Sequence, residues 1–187
     1  MHIDPDNGLL DTAHQLPSPN CDARPPGCTI DLLVIHAISL PTGEFGGPWI
    51  DDLFCNRLDA DTHPDFADIY TLQVSAHALI RRDGSITQYV PFHHRAWHAG
   101  QSCHDGRQRC NDFSIGIELE GCDEQPFAAI QYTHLAELAR SLFTAYPNLN
   151  PQRITGHSDI APGRKTDPGP HFDWQRLHGL LGSLCGE

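Results

Sequence analysis

An α/β fold, a single domain with a mixed β-sheet flanked by α-helices, is what this 187-residue sequence predicts. Three observations carry that expectation. The length suits one domain with a sizeable hydrophobic core. Short apolar runs of strand length interleave with stretches of helical periodicity, as in a sheet with helices packed on it. One pair of runs is joined tightly enough to be a hairpin, so the sheet is not purely parallel.

Residues 1–28, rich in Pro, Asn, Asp and Cys, read as an irregular lead-in to the same domain, whose body spans 29–187. The run TIDLLVIHAI, Thr29 to Ile38, is apolar and β-branched and predicts a buried strand. Residues 40–48, LPTGEFGGP, form a loop by composition. Pro48 suits the first position of a short helix to about Leu58, with Ile50, Leu53, Phe54 and Arg57 one turn apart. Segment 73–90 is the hairpin: QVSAHALI, the turn Arg81-Arg82-Asp83-Gly84, then SITQYV. After a loop rich in His and Gly, Phe113 to Leu119 is another strand. Residues 128–146 carry Ile130, Leu135, Leu138, Ala139 and Leu142 at helical spacing and stop before Pro147. Asp173, a good N-cap, opens a last helix that runs to Leu184.

A formal charge of −12 argues against a nucleic-acid binder, which would show a basic patch. Apolar runs such as Leu32 to Ile35 are far too short to span a bilayer. The start Met1-His2-Ile3-Asp4-Pro5-Asp6 lacks a basic segment and an apolar run, so a cytoplasmic location is expected. The seven cysteines are odd in number and form no CxxC, which reads as reduced thiols. The spacings Cys21–Cys28 and Cys103–Cys110 leave a clip open. There are 13 histidines, and Lys165 is the only lysine among 12 cationic side chains.

Position sorts the histidines. His2, His14, His134 and His178 fall in the lead-in or in predicted helices and read as solvated. His36 ends an otherwise apolar strand, where a buried imidazole needs a hydrogen-bond partner or a metal. The segment TGHSDIAPGRKTDPGP, Thr155 to Pro170, is a Pro- and Gly-fixed loop presenting His157, Lys165 and several carboxylates. Imidazole and carboxylate are ordinary zinc ligands, and three protein ligands plus water make a catalytic site. His36, His157 and Asp167 could supply such a set, with Asp159 and His171 equally eligible by spacing. On the strand 113–119 and the residue after it, Ser114, Gly116, Glu118 and Glu120 share a small polar face, consistent with an open site above the sheet. Periodicity does not choose between Glu118 and Glu120. Arg95, Arg107 and Arg109 lie in or beside one glycine-containing loop, where a guanidinium could hold a carboxylate. His77, His93, His94, His98 and His104 receive no role, and no HExxH occurs.

Four segments carry a family resemblance: LLVIHAISLPTGEFGGPWID, VSAHALIRRDGSITQYVP, RAWHAGQSCHDGRQRCNDFSIGIELEG and ITGHSDIAPGRKTDPGP with the following FDW. From about Pro17 to Trp174 the chain resembles the cytoplasmic zinc amidases that cleave 1,6-anhydro-N-acetylmuramyl-L-alanine bonds in cell-wall recycling. That family belongs to the wider group of phage-type amidases and peptidoglycan recognition proteins, whose fold is thereby expected. The resemblance implies one Zn²⁺ per chain on His36, His157 and Asp167. It implies Glu118 as the catalytic acid/base, Lys165 as the second catalytic residue, Arg109 as binder of a stem-peptide carboxylate and Trp97 as part of the substrate groove. It implies an anhydromuramyl peptide as substrate; a monomer is the expected state, with no nucleic acid or membrane partner. Two positions depart from the family pattern: Ala37 stands where Asn commonly follows the strand histidine, and Ser158-Asp159 where Cys-Asn or Cys-Asp often follows the second one. A peptidoglycan-binding module of the same fold would need neither Glu118 nor Lys165.

Overall fold

The computed structural model describes residues 1–182. In chain order the strands and α-helices are β1 (His14–Gln15), β2 (Cys21–Asp22), β3 (Leu32–Ile38), α1 (Trp49–Phe54), β4 (Ala78–Ile80), β5 (Ile86–Gln88), β6 (Arg95–Ala96), β7 (Cys103–His104), β8 (Arg107–Gln108), β9 (Ser114–Glu120), α2 (Ala129–Ala145), β10 (Ile154–Gly156), α3 (His157–Ile160) and α4 (Trp174–Gly182). Six strands form one sheet in the order β1-β5-β4-β9-β3-β10, and two small ribbons, β2-β6 and β7-β8, lie outside it. Only β4 and β5 pair antiparallel; the other four pairings of the sheet are parallel. The mixed sheet of a single α/β domain is thus what the chain forms.

The β4-β5 hairpin closes at the expected turn, where Gly84 adopts φ +88° and donates its N–H to Arg81 O at 2.9 Å. That left-handed conformation suits glycine, which has no Cβ to clash. Helix α2 follows its apolar stripe with one change. Ile130 is 38% exposed, and Tyr132 takes its place in the core with Leu135, Leu138 and Leu142. Helix α1 ends at Phe54, short of Leu58, because Asn56 turns left-handed at φ 57°. For α4, Asp173 Oδ1 accepts the Arg176 N–H at 2.9 Å, while the expected end at Leu184 lies outside the described residues. The lead-in supplies two short strands and the buried residues Ile3 and Leu10.

The two faces of the sheet are used differently. Leu33 and Ile35 of β3, with Ile115, Ile117 and Leu119 of β9, pack under α2 and α4. On the other face Leu32 and Val34 meet Ala99, Cys110, Phe113 and Ile160, and Leu79 meets α1 through Leu53 and Phe54. All of β9 is buried. The face with Ser114 and Gly116 is therefore not an open floor. His98 lies on it, close enough that a Cβ at Gly116 would come within 2.4 Å of its ring.

Candidate metal centre and active site

Register sets the site. In the parallel pair β3-β9, His36 stands opposite Glu118, so both side chains leave the same face. On the other side of β3, Gly156 pairs with Ile35, which puts the next residue, His157, level with His36. Three adjacent strands thus deliver Glu118, His36 and His157 side by side at their carboxyl ends, where open α/β sheets place ligands. The loop after α3 then returns to the same point. Ser158 N–H donates to Asp167 O at 2.9 Å, and this contact brings the Asp167 carboxylate up to the two rings.

Three atoms converge there. His36 Nδ1 and His157 Nδ1 are 3.0 Å apart, and Asp167 Oδ2 lies 3.1 Å from the first and 3.0 Å from the second. Both rings are buried. Their far nitrogens are engaged elsewhere, His157 Nε2 on Ala99 O at 3.3 Å and His36 Nε2 on His98 Nδ1 at 2.9 Å. A tetrahedral zinc with bonds of about 2.0–2.1 Å separates its ligands by about 3.3 Å. The triangle and its donor set of two imidazoles and one carboxylate fit that ion. Asp159, an equal candidate by spacing, instead accepts from Thr155 Oγ1 at 3.0 Å and Gly156 N–H at 2.9 Å. His171 is exposed and outside the cluster.

Burial pushes His36 down to about 4, and His77 and His98 well below the ordinary histidine value. The same burial raises Glu118 well above the usual carboxylate range; the Asp167 charge adds to the shift and Lys165 opposes it. Glu118 Oε2 is buried without a hydrogen-bond partner. Glu120, two residues on, is fully engaged: Oε1 accepts from Gly46 N–H at 2.7 Å and Arg81 Nη1 at 3.2 Å, and Oε2 from Arg82 N–H at 3.1 Å. Of two carboxylates on one strand, one is tied into structure and the other is left free beside the triangle.

A cavity of about 240 Å³ opens over this group. His36, His157, Asp167, Glu118, Lys165 and Trp97 all line it, with Ala37, His98 and an apolar wall that includes Leu40, Leu53, Phe54 and Leu72. Trp97 Nε1 donates to Asp22 Oδ1 at 3.3 Å. Arg109 is not part of the lining. Its side chain is 71% exposed and 3.4 Å from Asp112. Asp112 also binds Arg95 at 2.5 Å, and Arg95 in turn binds Asp22. Arg107 pairs with Asp31 at 3.0 Å and lies over the Phe113 ring. Of the three loop arginines, Arg109 is the least engaged. Sequence reasoning assigned nothing to His98 or to the apolar wall. His98 is one of five histidines in or near a loop, and no periodicity separates it from His93 or His94.

Fold and site together define an amidase class, and comparison bears this out. The family model described as N-acetylmuramoyl-L-alanine amidase matches residues 26–170, and the chain belongs to that family. It is 58% identical over 177 residues to the 1,6-anhydro-N-acetylmuramyl-L-alanine amidase AmpD of Salmonella typhimurium (strain SL1344), covering 95% of this chain and 94% of that one. A crystal structure of a selenomethionine AmpD derivative superposes with a TM-score of 0.93 at 56% identity, covering 97% of this chain and 99% of the other. The amidase AmiD from E. coli, solved in complex with the substrate anhydro-N-acetylmuramic acid-L-Ala-D-gamma-Glu-L-Lys, matches with a TM-score of 0.59 at 34% identity, over 84% of this chain and 60% of that chain.

Proposed function

We propose that this amidase acts in cell-wall recycling in the cytoplasm, as a monomer, hydrolysing the amide between the lactyl group of 1,6-anhydro-N-acetylmuramic acid and L-alanine. His36, His157 and Asp167 would hold one Zn²⁺. When bound, that ion supplies a positive centre that polarises the carbonyl and acidifies water. The single observation that carries the reading is a buried, unpartnered Glu118 oxygen beside three convergent metal-ligating atoms.

The chain's own residues divide the remaining work. Glu118 takes a proton from the attacking water as its oxygen adds to the lactyl carbonyl carbon. It then returns that proton to the alanine nitrogen as the C–N bond breaks. Its raised affinity for a proton suits the second step, and a general acid/base of this kind is worth about 10²–10⁴-fold. Lys165, exposed on the rim of the cavity, places a cation near the developing oxyanion. Trp97 and the apolar wall line the substrate groove, and Arg109 takes a carboxylate of the stem peptide. The relatives named for the 1,6-anhydro substrate support that ring form.

The test is mass-spectrometric product analysis with anhydro and reducing-end muropeptides offered side by side. Zinc-loaded protein should release intact stem peptide from the anhydro form, and chelation should stop release until zinc is restored. Turnover that ignores chelation would overturn the zinc reading; equal cleavage of both forms would overturn the ring preference.

A further inference from the structure

We propose that His98 is a positioning residue which, through Ser114, dictates which nitrogen of His36 is free to bind metal. The inference rests on the zinc reading above and deepens it. It starts from a backbone carbonyl, which can only accept. Ser114 Oγ is 2.6 Å from Cys110 O, so the single hydroxyl hydrogen points there. Ser114 Oγ is also 3.2 Å from His98 Nε2, and in that contact the hydroxyl must accept, so His98 carries its proton on Nε2. A neutral ring then has a bare Nδ1. That atom lies 2.9 Å from His36 Nε2, so His36 must donate from Nε2 and keep its own Nδ1 lone pair for the metal.

Nothing in this chain of contacts is exposed: Ser114, His98 and His36 are all buried. The backbone that carries the ring is also held in place. Asn111 Oδ1 accepts from His98 N–H at 3.1 Å and from Ala99 N–H at 2.7 Å. Ala99 O in turn faces His157 Nε2, so one two-residue strip orients both imidazoles, with Asn111 holding it. Metal-bound histidines ordinarily give their second N–H to a carbonyl, carboxylate or water. Here the acceptor for His36 is another imidazole, whose own tautomer needs setting from behind.

Three variants test this: Ser114→Ala, His98→Leu and His98→Asn, with His104→Asn as a control at a histidine outside the relay. Two readouts are independent of turnover. Long-range ¹H–¹⁵N correlation in the metal-free protein reports the protonated nitrogen of His36 and His98, and chelator competition reports zinc affinity. Wild type should show both rings protonated at Nε2. Ser114→Ala should redistribute the His36 proton toward Nδ1 and weaken zinc binding. His98→Leu should weaken it by about 10–100-fold. His98→Asn, whose amide oxygen can still accept from His36 Nε2, should recover affinity to within a few-fold of wild type.

Wild-type zinc affinity and an unchanged His36 tautomer in both Ser114→Ala and His98→Leu would overturn the proposal. So would His98→Asn binding as weakly as His98→Leu, which marks a packing role only. Should His98→Leu fail to fold, Ser114→Ala decides, because it removes one oxygen from a residue that is otherwise preserved in shape. A wild-type protein that binds no zinc would defeat the zinc reading itself, whereas the tautomers of the metal-free protein still judge the relay.

Discussion

Glu118 and Glu120 share a strand, a face and a chemical type, and differ only in what surrounds them. Glu120 is held by Arg81 and two backbone N–H groups; Glu118 is buried with a free oxygen. Their substitutions should therefore separate. Glu118→Gln should cut turnover by about 10²–10⁴-fold with zinc affinity retained, as judged by steady-state assay and metal titration. Glu120→Ala should instead cost about 1–3 kcal/mol of stability by leaving the Gly46 and Arg82 N–H groups without their acceptor, since Arg81 keeps its ion pair with Asp51, with turnover per folded molecule retained. If Glu118→Gln turns over normally, the acid/base role falls. Arg95 and Arg107 are committed to internal ion pairs, whereas Arg109, the proposed binder of a peptide carboxylate, is 71% exposed. Arg109→Ala should raise KM with little change in kcat, and a pure kcat defect would contradict the assignment.

At the scale of elements, the site is a product of strand order. His36 and Glu118 meet because β3 and β9 pair in parallel at that register, and His157 joins them because β10 flanks β3. A one-residue slip of any one of these strands would turn its side chain to the face under α2. Gly116 is a second constraint on β9, since the His98 ring fills the space above it. Gly116→Ala should cost about 1–3 kcal/mol by overpacking and displace that ring, a loss that thermal unfolding and zinc titration would register together. The lead-in also acts as an element: Leu16 N–H donates to Gln88 O at 3.0 Å and Ser18 N–H to Tyr89 O at 2.9 Å, extending the β1 edge along the hairpin.

For the molecule as a whole, burying several neutral imidazoles links stability to pH. The folded values of His36, His77 and His98 lie below the unfolded one. Below about pH 6.5 the unfolded chain therefore takes up protons that the native state refuses. Stability is fully present above that pH and declines as pH falls toward about 4, by up to about 1.4 kcal/mol per pH unit for each ring. The melting temperature of metal-free protein should drop between pH 7 and pH 5, and an unchanged value would mean the rings are already charged. Zinc should act in the opposite direction. At 100 times its Kd it should add about 2.7 kcal/mol, read as a rise in melting temperature that chelator reverses.

The sequence alone determined the class of fold, because periods of two and 3.6 residues and a Gly-closed turn are local properties. Its motifs determined the family, and hence which residues to suspect. Some things were beyond it. Spacing left Asp159, His171 and Asp167 equal, since residues 36, 157 and 167 become neighbours only when β10 lies beside β3 and the loop after α3 folds back onto their ends. Periodicity left Glu118 and Glu120 equal, since only the groups packed around them tie one into the structure and leave the other with an unpartnered oxygen. His98 carried no local signal at all. Its contact with His36 spans 62 residues, and a hydrogen bond between two buried rings exists only once the sheet and the loop over it are packed.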